Sequence, residues 1–467
     1  MKKGIRFSML TAILVSSVSF AQNVVNGGID DSMMQKIKAA YKNTSSDKAI
    51  RNALNADNLQ KLAANADQPD ILDGYFSNRV FSRGITDQRS SGRCWLFTGL
   101  NVFRAKVINK YKLPEFEFSQ NYNFFYDQLE KANLFLQGVI DTRQKPMSDR
   151  MVEWLFKNPL SDGGQFTGVS DIIGKYGVVP KEVMNETFAS NSTSQMASLL
   201  KLKLREFGLQ LRELPAGADD NDIKREKTEM LGTIYRMLVL NLGEPPAEFT
   251  WTRRDVQGNP VEIKHYTPKS FYNEFIGKDL TNGYVMLMND PAREYYKLYE
   301  IDYDRHMYDG YDWRYINLPV EDIKEMAIAS IKDSTAMYFS CDVIKFLNRD
   351  KGTLDLNNYD YESLMGTTFG MNKKQRVQSF ASGSSHAMTL VAVDLDDSGK
   401  PKKWLLENSW GATNGYKGHL IMTDRWFDEY MFRLVVEKKY VPKKILNILD
   451  QKPVRLPAWD PMFAPEE

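Results

Sequence analysis

The stretch "DQRSSGRCWLFTGLNVFRAKV", Asp87 to Val107, joins a polar, turn-prone run to an apolar helical pattern, with Cys94 at the junction. The first turn of a helix carries unpaired N–H groups and a partial positive charge, which together stabilise an anion. A thiolate is an anion that is accessible near neutral pH and strongly nucleophilic. The stretch therefore indicates either a nucleophilic cysteine or a small apolar side chain on a buried helix, which is the usual role of a free cysteine.

The composition limits the class of protein. The chain has 467 residues, with 61 basic and 60 acidic side chains, and this balance argues against a dedicated binder of nucleic acid or of membrane surfaces. The length permits one elaborated domain or two or three subdomains. The second cysteine, Cys341, stands in the apolar run "STAMYFSCDVIKF" and is predicted to be a buried structural thiol. Because the cysteines and histidines lack metal-ligand spacing, we expect no metal site.

The N-terminus has the three regions of a secretory signal. Residues 1–21 combine a positive start, "MKKGIRF", an apolar run, "SMLTAILVSSVSF", and small residues at Ser19 and Ala21 before the expected cleavage site. The apolar run is too short to favour a membrane anchor. The pattern predicts an exported protein, periplasmic or secreted, with no membrane association after cleavage.

The remaining chain changes character from helical to β-rich. Residues 22–70 are polar and helix-prone, and we expect them to form a helical arm before the core. From about residue 331 onward, short β-rich runs alternate with turn residues, as in "TAMYFSCDV", "HAMTLVAVDL", "KKWLLENSW" and "GHLIMTDRW". The tail, 441–467, contains several prolines and is predicted to be extended. This order predicts an α+β protein.

A thiol nucleophile needs a base within hydrogen-bond reach and a group that orients the base. The sequence has four histidines. His265 and His306 stand in polar, loop-like surroundings, and His419 opens a strand after a glycine-rich run. His386 begins the strand "HAMTLVAVD", and the next strand, "KWLLENSWG", contains Asn408.

The hairpin geometry favours His386 as the base. With the turn centred on "DDSG", residues 396–399, His386 and Asn408 are predicted to face each other with Cβ atoms about 5 Å apart. An asparagine carbonyl beside a histidine fixes the orientation and tautomer of the ring, and Trp410 on the same face would shield that bond. A polar pair in a core is the alternative.

An oxyanion also needs hydrogen-bond donors. Gln88 lies six residues before Cys94, across a turn that contains serine and glycine. A loop of that length can return the Gln88 amide to the start of the helix, beside the backbone N–H of Cys94. Considered alone, such a glutamine is more often a surface residue.

Three segments together resemble papain-like cysteine peptidases: "DQRSSGRCWLFTGLNVFR", "SGSSHAMTLVAV" and "LLENSWG". His386 lies 292 residues after Cys94, whereas about 130–150 residues are usual in papain-like sequences. This large insertion, and segments such as "SDGGQF", "KYGVVPKEVMNETF", "FTWTRRD" and "LPAWDPM", are similar to the bleomycin hydrolase and bacterial aminopeptidase C family.

The resemblance implies a papain-like fold, in which a helical left half carries the cysteine helix and an antiparallel β-sheet forms the right half, with large, mostly helical insertions. The expected divisions are a signal peptide (1–21), a helical arm (22–70), the left half with its insertion (71–330), the sheet half (331–440) and a tail that reaches the active-site cleft (441–467).

The resemblance also implies residue roles. Cys94 is the expected nucleophile, His386 the base and then the acid, and Asn408 the orienting group, with Gln88 in the oxyanion hole. Two further groups are expected to bind substrate, namely the glycines Gly163 and Gly164, against the peptide backbone, and the terminal carboxylate at Glu467, against the substrate amine.

These roles imply a thiol aminopeptidase that removes N-terminal residues from peptides through an acyl-enzyme, without a metal or an organic cofactor. The family is typically a homohexamer and usually cytoplasmic, whereas the N-terminus here predicts export. Two alternatives stay open. The ending "FAPEE" differs from the small, apolar ending of the family, so the cleft could be open as in an endopeptidase. The chain could also be a catalytically idle peptide-binding scaffold.

Overall fold

The computed structural model describes residues 27–67, 72–215, 217–277 and 280–463. The predicted signal peptide and Glu467 lie outside these ranges. The chain separates into two compact units, one ending at Leu62 and the other beginning at Ala63. No helix within the described ranges combines the length and the apolar character needed to span a bilayer.

The described residues form seventeen α-helices. In chain order they are α1 (Asp31–Ala40), α2 (Ser45–Ala56), α3 (Leu59–Leu62), α4 (Cys94–Tyr111), α5 (Gln120–Asp141), α6 (Arg150–Lys157), α7 (Phe166–Tyr176), α8 (Phe188–Asn191), α9 (Ser194–Glu213), α10 (Asp220–Leu242), α11 (Pro268–Phe275), α12 (Leu280–Gly283), α13 (Val320–Lys332), α14 (Tyr361–Met365), α15 (Lys373–Gln378), α16 (Asp424–Tyr430) and α17 (Lys443–Leu446). Short 3₁₀ turns cover Lys181–Val183, Leu356–Asn358, Lys438–Tyr440, Asn447–Asp450 and Pro461–Phe463.

Fourteen strands accompany them. They are β1 (Asn78–Arg79), β2 (Phe249–Arg254), β3 (Pro260–Tyr266), β4 (Tyr284–Met288), β5 (Lys297–Ile301), β6 (Arg314–Asn317), β7 (Met337–Cys341), β8 (Leu347–Asn348), β9 (Thr353–Leu354), β10 (His386–Leu395), β11 (Pro401–Glu407), β12 (His419–Thr423), β13 (Met431–Glu437) and β14 (Val454–Leu456). The α+β prediction is confirmed, and the four strands predicted after residue 331 correspond to β7, β10, β11 and β12.

Most of the strands form one large sheet, in the order β14-β5-β6-β4-β13-β7-β10-β11-β12-β9-β8, with β1 against β10. The central strands from β13 to β12 are antiparallel, as predicted, but the outer pairs β4–β6, β5–β14 and β9–β12 are parallel. The sheet is therefore mixed. The reason for the β4–β6 pair is that β6 turns back from β5 and enters the position between β5 and β4.

The sheet also begins earlier in the chain than residue 331, because β4, β5 and β6 belong to it. These strands have only four or five residues each, and β4 reads as the continuous apolar run "YVMLM". A short run of this kind does not distinguish a strand from a buried helical turn by its periodicity. The tail differs as well, since Lys443–Leu446 and Asn447–Asp450 are helical turns that bury Ile445 and Ile448.

The helix α4 lies in the core. It is apolar on all sides and most of its residues are buried, which is typical of a helix surrounded by other elements. It packs against α5 and α7 on the helical side and against β7 and β10 of the sheet. A buried ion pair between Arg104 and Glu407 joins α4 to the end of β11. The opposite face of the sheet packs against α13 and α16 in a second hydrophobic core.

The hairpin of β10 and β11 has a different register from the one predicted. Thr389 lies opposite Glu407, so one further step places Asn408 level with Met388 rather than with His386. The turn closes between Asp396 and Lys400, where Asp396 N–H donates to the Lys400 carbonyl at 2.8 Å, and its centre is therefore one residue later than expected. His386 and Asn408 remain diagonal neighbours on one face, within reach of long side chains.

Candidate active site

The turn before α4 is fixed by hydrogen bonds within itself. Ser91 Oγ donates to the Gln88 carbonyl at 2.6 Å, and Gln88 Nε2 donates to the Ser91 carbonyl at 2.7 Å. These reciprocal bonds hold the Gln88 side chain inside the turn, where it is buried. Cys94 follows as the first residue of α4 and is also buried. The local sequence thus places an amide group and a thiol at the same end of the helix.

Asp162 connects this turn to the "DGG" segment. Its Oδ2 accepts from the backbone N–H of Gly92 at 2.7 Å and from Thr193 Oγ1 at 2.5 Å, while its carbonyl accepts from Trp95 Nε1 at 2.8 Å. One residue therefore contacts the chain on both sides of Cys94. The sequence reasoning missed Asp162 as a structural link, since an aspartate before two glycines is an ordinary turn signal.

Arg93 fixes the same turn from the helical side. Its guanidinium is fully buried and donates to both carboxylate oxygens of Glu186, at 3.2 and 2.8 Å. The rings of Phe97 and Phe124 lie 5.1 and 5.2 Å from the guanidinium carbon. A two-point pair of this kind satisfies a buried cation and adds orientation, so the residue immediately before Cys94 has a defined position.

His386 and Asn408 are in contact, as predicted. The ring Nε2 lies 2.9 Å from Asn408 Oδ1, and the same oxygen accepts from the Ser409 N–H at 2.8 Å. An amide oxygen is an acceptor only, so Nε2 carries the proton and Nδ1 carries the lone pair. The first strand residue of β10 therefore presents an imidazole with one defined nitrogen available as a base.

The second cysteine, Cys341, lies on the strand next to this histidine. Cys341 pairs with His386 in the β7–β10 register. Burial, then Asp342 and then Cys94 raise the pKa of the Cys341 thiol well above its usual range. Cys341 itself is fully buried, in agreement with the predicted structural thiol.

Trp410 covers the histidine. The two ring centroids are 4.9 Å apart with the planes tilted by 30°, and the guanidinium carbon of Arg349 lies 4.8 Å from the Trp410 ring centroid. Burial lowers the pKa of His386 to about 4, the Asn408 hydrogen bond opposes this effect, and Arg349 adds to it. The imidazole is therefore neutral at physiological pH. The sequence reasoning found Trp410 but not Arg349, which stands in a polar turn without a distinguishing signal.

The Gln88 side chain connects the cysteine turn to the histidine strands. Gln88 Oε1 accepts from Ser409 Oγ at 2.6 Å, and the Gln88 N–H donates to the Ser409 carbonyl at 2.8 Å. Since Nε2 has two N–H bonds and Ser91 accepts one, the amide keeps a second donor. Gln88 is thus held against Ser409, the residue that directly follows Asn408 in the sequence.

The two glycines line a cavity of about 150 Å³. Its lining includes Gly163, Gly164, Asp304, Ser384 and Ala458. Ser384 precedes His386 by two residues, and Ala458 belongs to the C-terminal tail. The tail thus runs past the cavity at Ala458, whereas Glu467 lies outside the described residues and its role stays a prediction.

The His306 ring packs directly against the backbone of Gly164 and Gly168. Its loop position agrees with the sequence reading, but the ring is buried, with Nδ1 2.5 Å from Asp127 Oδ1. A Cβ on Gly164 would lie 2.2 Å from His306 Cε1, and one on Gly168 would lie 2.3 Å from the same atom. Only glycine fits at these two positions. Lys131, paired with Asp127 at 2.9 Å, donates to the Gly163 carbonyl at 2.7 Å.

Comparison with known proteins identifies this arrangement. Residues 28–463 match the family described as "Peptidase C1-like family". The chain belongs to this family. It is 43% identical to the bleomycin hydrolase of Mus musculus over 390 residues, covering 81% of this chain and 86% of the relative. It is 37% identical to the aminopeptidase C of Lactobacillus delbrueckii subsp. lactis, covering 88% and 93%. The crystal structure of PepW from Lactobacillus rhamnosis HN001 is similar at a TM-score of 0.90 with 36% identity, covering 94% of this chain and 99% of PepW.

Membership in the Peptidase C1-like family confirms the papain-like α+β fold. It also confirms the predicted activity: the protein is a cysteine-type aminopeptidase of the bleomycin hydrolase type, and its substrates are peptides. These relatives therefore support an aminopeptidase and not a catalytically idle scaffold.

The prediction of export is wrong. The relatives are bleomycin hydrolases and aminopeptidases, and they give export no support. The apolar run in residues 1–21 produced the prediction, because a positively charged start before such a run resembles a secretory signal by composition alone.

Proposed function

We propose that Cys94, His386, Asn408 and Gln88 carry out peptide cleavage in this aminopeptidase. The observation that supports this most directly is the 2.9 Å contact of His386 Nε2 with Asn408 Oδ1, because it leaves Nδ1 as the basic nitrogen. In the acylation step, Nδ1 takes the thiol proton as the Cys94 sulfur attacks the carbonyl carbon of the first peptide bond. The backbone N–H of Cys94 and the second N–H of Gln88 stabilise the oxyanion.

The intermediate then collapses. The C–N bond breaks, the protonated His386 gives its proton to the leaving amine, and the acyl group stays on the Cys94 sulfur as a thioester. Water then attacks the thioester carbon and His386 takes the water proton. The C–S bond breaks, the free amino acid leaves, and the thiol is restored by the proton on His386.

The test compares Cys94→Ala with Cys341→Ala as the matched control. Both changes remove a buried thiol, but only the first removes the proposed nucleophile. With a fluorogenic peptide that has a free N-terminus, we expect Cys94→Ala to lose at least about 10³-fold in kcat/KM and Cys341→Ala to keep most of the wild-type value. Equal activity of the Cys94 variant and the control would contradict the assignment.

The tail is proposed to confer the preference for a free amine. Ala458 lines the cavity beside Gly163 and Gly164, Arg433 donates to the Met462 carbonyl at 3.2 Å, and Arg293 pairs with Asp460 at 2.7 Å. These contacts hold the tail up to Met462 beside the cavity, so a terminal carboxylate at Glu467 is proposed to meet the substrate ammonium. The two glycines are proposed to hold the substrate backbone through their peptide groups.

Deleting residues 464–467 tests this proposal. We expect the shortened protein to lose its preference for a free N-terminus over an N-acetylated twin, because the acidic ending no longer meets the amine. Improved cleavage of the acetylated twin would resemble an endopeptidase. An unchanged preference would refute the role of the tail. Full cleavage of both twins by the undeleted protein would instead favour an open cleft from the start.

The homohexamer is proposed from family membership alone. Light scattering coupled to gel filtration tests it directly, with six copies expected. A monomer that retains aminopeptidase activity would refute the hexamer without affecting the proposed catalytic residues.

A further inference from the structure

Arg349 is an exposed cation beside the catalytic histidine. Its guanidinium carbon lies 4.8 Å from the Trp410 ring centroid, and the His386 ring centroid lies 4.9 Å from that of Trp410. Within the described residues, no carboxylate pairs with Arg349. Asp87, which forms a backbone bridge with Trp410, pairs instead with Arg89 at 3.1 Å. The described part of the chain thus holds a guanidinium on an aromatic face without supplying an anion for it.

The position of Arg349 corresponds to the leaving-group side of the scissile bond. His386 must give its proton to the leaving amine, so the amine departs past the imidazole and the Trp410 ring that covers it. The glycine cavity, which is proposed to hold the acyl side, is not lined by Trp410 or Arg349. Arg349 therefore faces the part of the peptide that leaves after the first cut.

The distances set how far along the peptide Arg349 acts. An extended chain advances about 3.3 Å per residue. The guanidinium-to-ring and ring-to-ring separations together span at most about three residues, so Arg349 is within reach of the first residues after the scissile bond. A guanidinium stacked on an aromatic ring loses little freedom when it forms a two-point pair with a carboxylate. The ligand chemistry that fits is a carboxylate one or two residues after the cut.

We propose that Arg349 is a specificity residue that binds a carboxylate on the leaving-group side and so favours short peptides with a free C-terminus. This rests on the proposed function, since it uses the same His386 and the same direction of departure. The carboxylate has two possible sources: the C-terminus of a dipeptide or tripeptide, or an acidic side chain at the same distance in a longer peptide.

The experiment measures kcat and KM for matched peptides with wild type, Arg349→Gln and Lys351→Gln. The peptides are Leu-Gly-Gly as the free acid and as the amide, Leu-Gly-Asp amide with Leu-Gly-Asn amide, and a six-residue Leu-Gly₅ acid whose carboxylate lies beyond reach. Lys351→Gln is the matched control, because it removes the same charge from the same exposed turn.

We expect wild type to prefer the tripeptide acid over its amide, and Arg349→Gln to reduce kcat/KM for the acid by roughly fivefold to tenfold through KM. The amide and the long acid should change by less than about twofold. A matching loss on Leu-Gly-Asp amide identifies a side-chain carboxylate as an equally good source, and no loss there restricts the site to the C-terminus.

Equal losses on acid and amide would overturn the proposal, because Arg349 would then act only through the charge on His386. Wild-type rates that do not distinguish acid from amide would also overturn it while leaving the proposed function intact. Failure of the proposed function would be seen differently: the Cys94→Ala variant would still cleave every one of these peptides.

Discussion

His386 combines two opposing influences on its proton. Burial lowers the pKa of the imidazole to about 4, and the hydrogen bond to Asn408 raises it only in part. The neutral ring is therefore the dominant form above pH 4, and Nδ1 is available as a base. Because an unfolded histidine has a pKa of about 6.5, the folded protein binds fewer protons between these values and becomes more stable as pH rises through this window.

The pH dependence of activity follows from the lowered pKa of His386. We expect kcat/KM to be limited on the acid side by an apparent pKa near 4, with a tenfold loss per pH unit below it. The measurement uses brief exposure to each pH, with activity after return to pH 7 as the control for unfolding. An acid limb near 6.5 would show that burial does not lower the pKa of this ring.

Removing the orienting group has a separate effect. Asn408→Ala deprives Nε2–H of its buried acceptor, so the imidazole is no longer held in its reactive orientation. We expect the activation free energy to rise by about 1–3 kcal/mol, which lowers kcat by roughly 5- to 150-fold. Asn109→Ala is the control, since it also removes an amide hydrogen bond, to the Phe81 carbonyl at 2.8 Å, far along α4 from Cys94. Similar kcat values for both variants would contradict the role of Asn408.

At the scale of elements, the start of α4 depends on residues from distant parts of the chain. Arg93 pairs with Glu186, and Gly92 donates to Asp162. The helix itself and its cysteine were predictable from the local pattern. The partners were not, because Glu186 and Asp162 have no special spacing relative to Cys94 and become close only when the insertion folds.

The Arg93–Glu186 pair is expected to matter for stability. Glu186→Ala leaves a fully buried guanidinium without its anion, and we expect a loss of about 3 kcal/mol in the free energy of unfolding, measured by urea unfolding. Glu206→Ala is the matched control, since it breaks an exposed pair with Lys203, for which a loss below about 0.5 kcal/mol is expected. If Glu186→Ala lowers the free energy of unfolding no more than Glu206→Ala does, Glu186 is not needed to stabilise the buried Arg93 guanidinium.

The register of the β10–β11 hairpin differs from the one that the sequence pattern predicts. The β10–β11 hairpin was predicted, but its register moved by two residues because the turn closes between Asp396 and Lys400. Turn geometry depends on side-chain hydrogen bonds, and Asp396 Oδ1 accepts from the N–H groups of Ser398 and Lys400. The contact of His386 with Asn408 survived because a two-residue shift preserves the face on which each side chain lies.

At the scale of the whole molecule, the site depends on the junction of helix and sheet. Cys94 belongs to α4, whereas His386 and Asn408 belong to β10 and the end of β11. Arg104 of α4 and Glu407, the residue before Asn408, form a buried ion pair across this junction. The general fold was predictable from three short segments, and so was the contact between His386 and Asn408. The mixed sheet and the earlier strands β4–β6 were not, since short buried strands have no distinct periodicity.

The junction can be tested with a double-mutant cycle on the free energy of unfolding. Arg104→Met alone leaves Glu407 buried without a cation, and we expect a loss of about 3–5 kcal/mol. Adding Glu407→Leu removes the unpaired charge and should recover most of that loss. If the double variant is as unstable as the sum of the single ones, the two residues act independently and do not join the two elements.

Asp162 has a consequence for redesign of this protein. Its carboxylate and its carbonyl contact residues on both sides of Cys94, and it is followed directly by Gly163 and Gly164. The loop that is proposed to bind the peptide backbone and the turn before Cys94 are therefore positioned by the same residue. Replacing residues 161–164 to change which peptides bind will therefore also disturb the turn that carries Cys94. We expect variants selected for a new peptide preference to be slow unless Gly92 and Thr193, the partners of Asp162, are varied together with the loop.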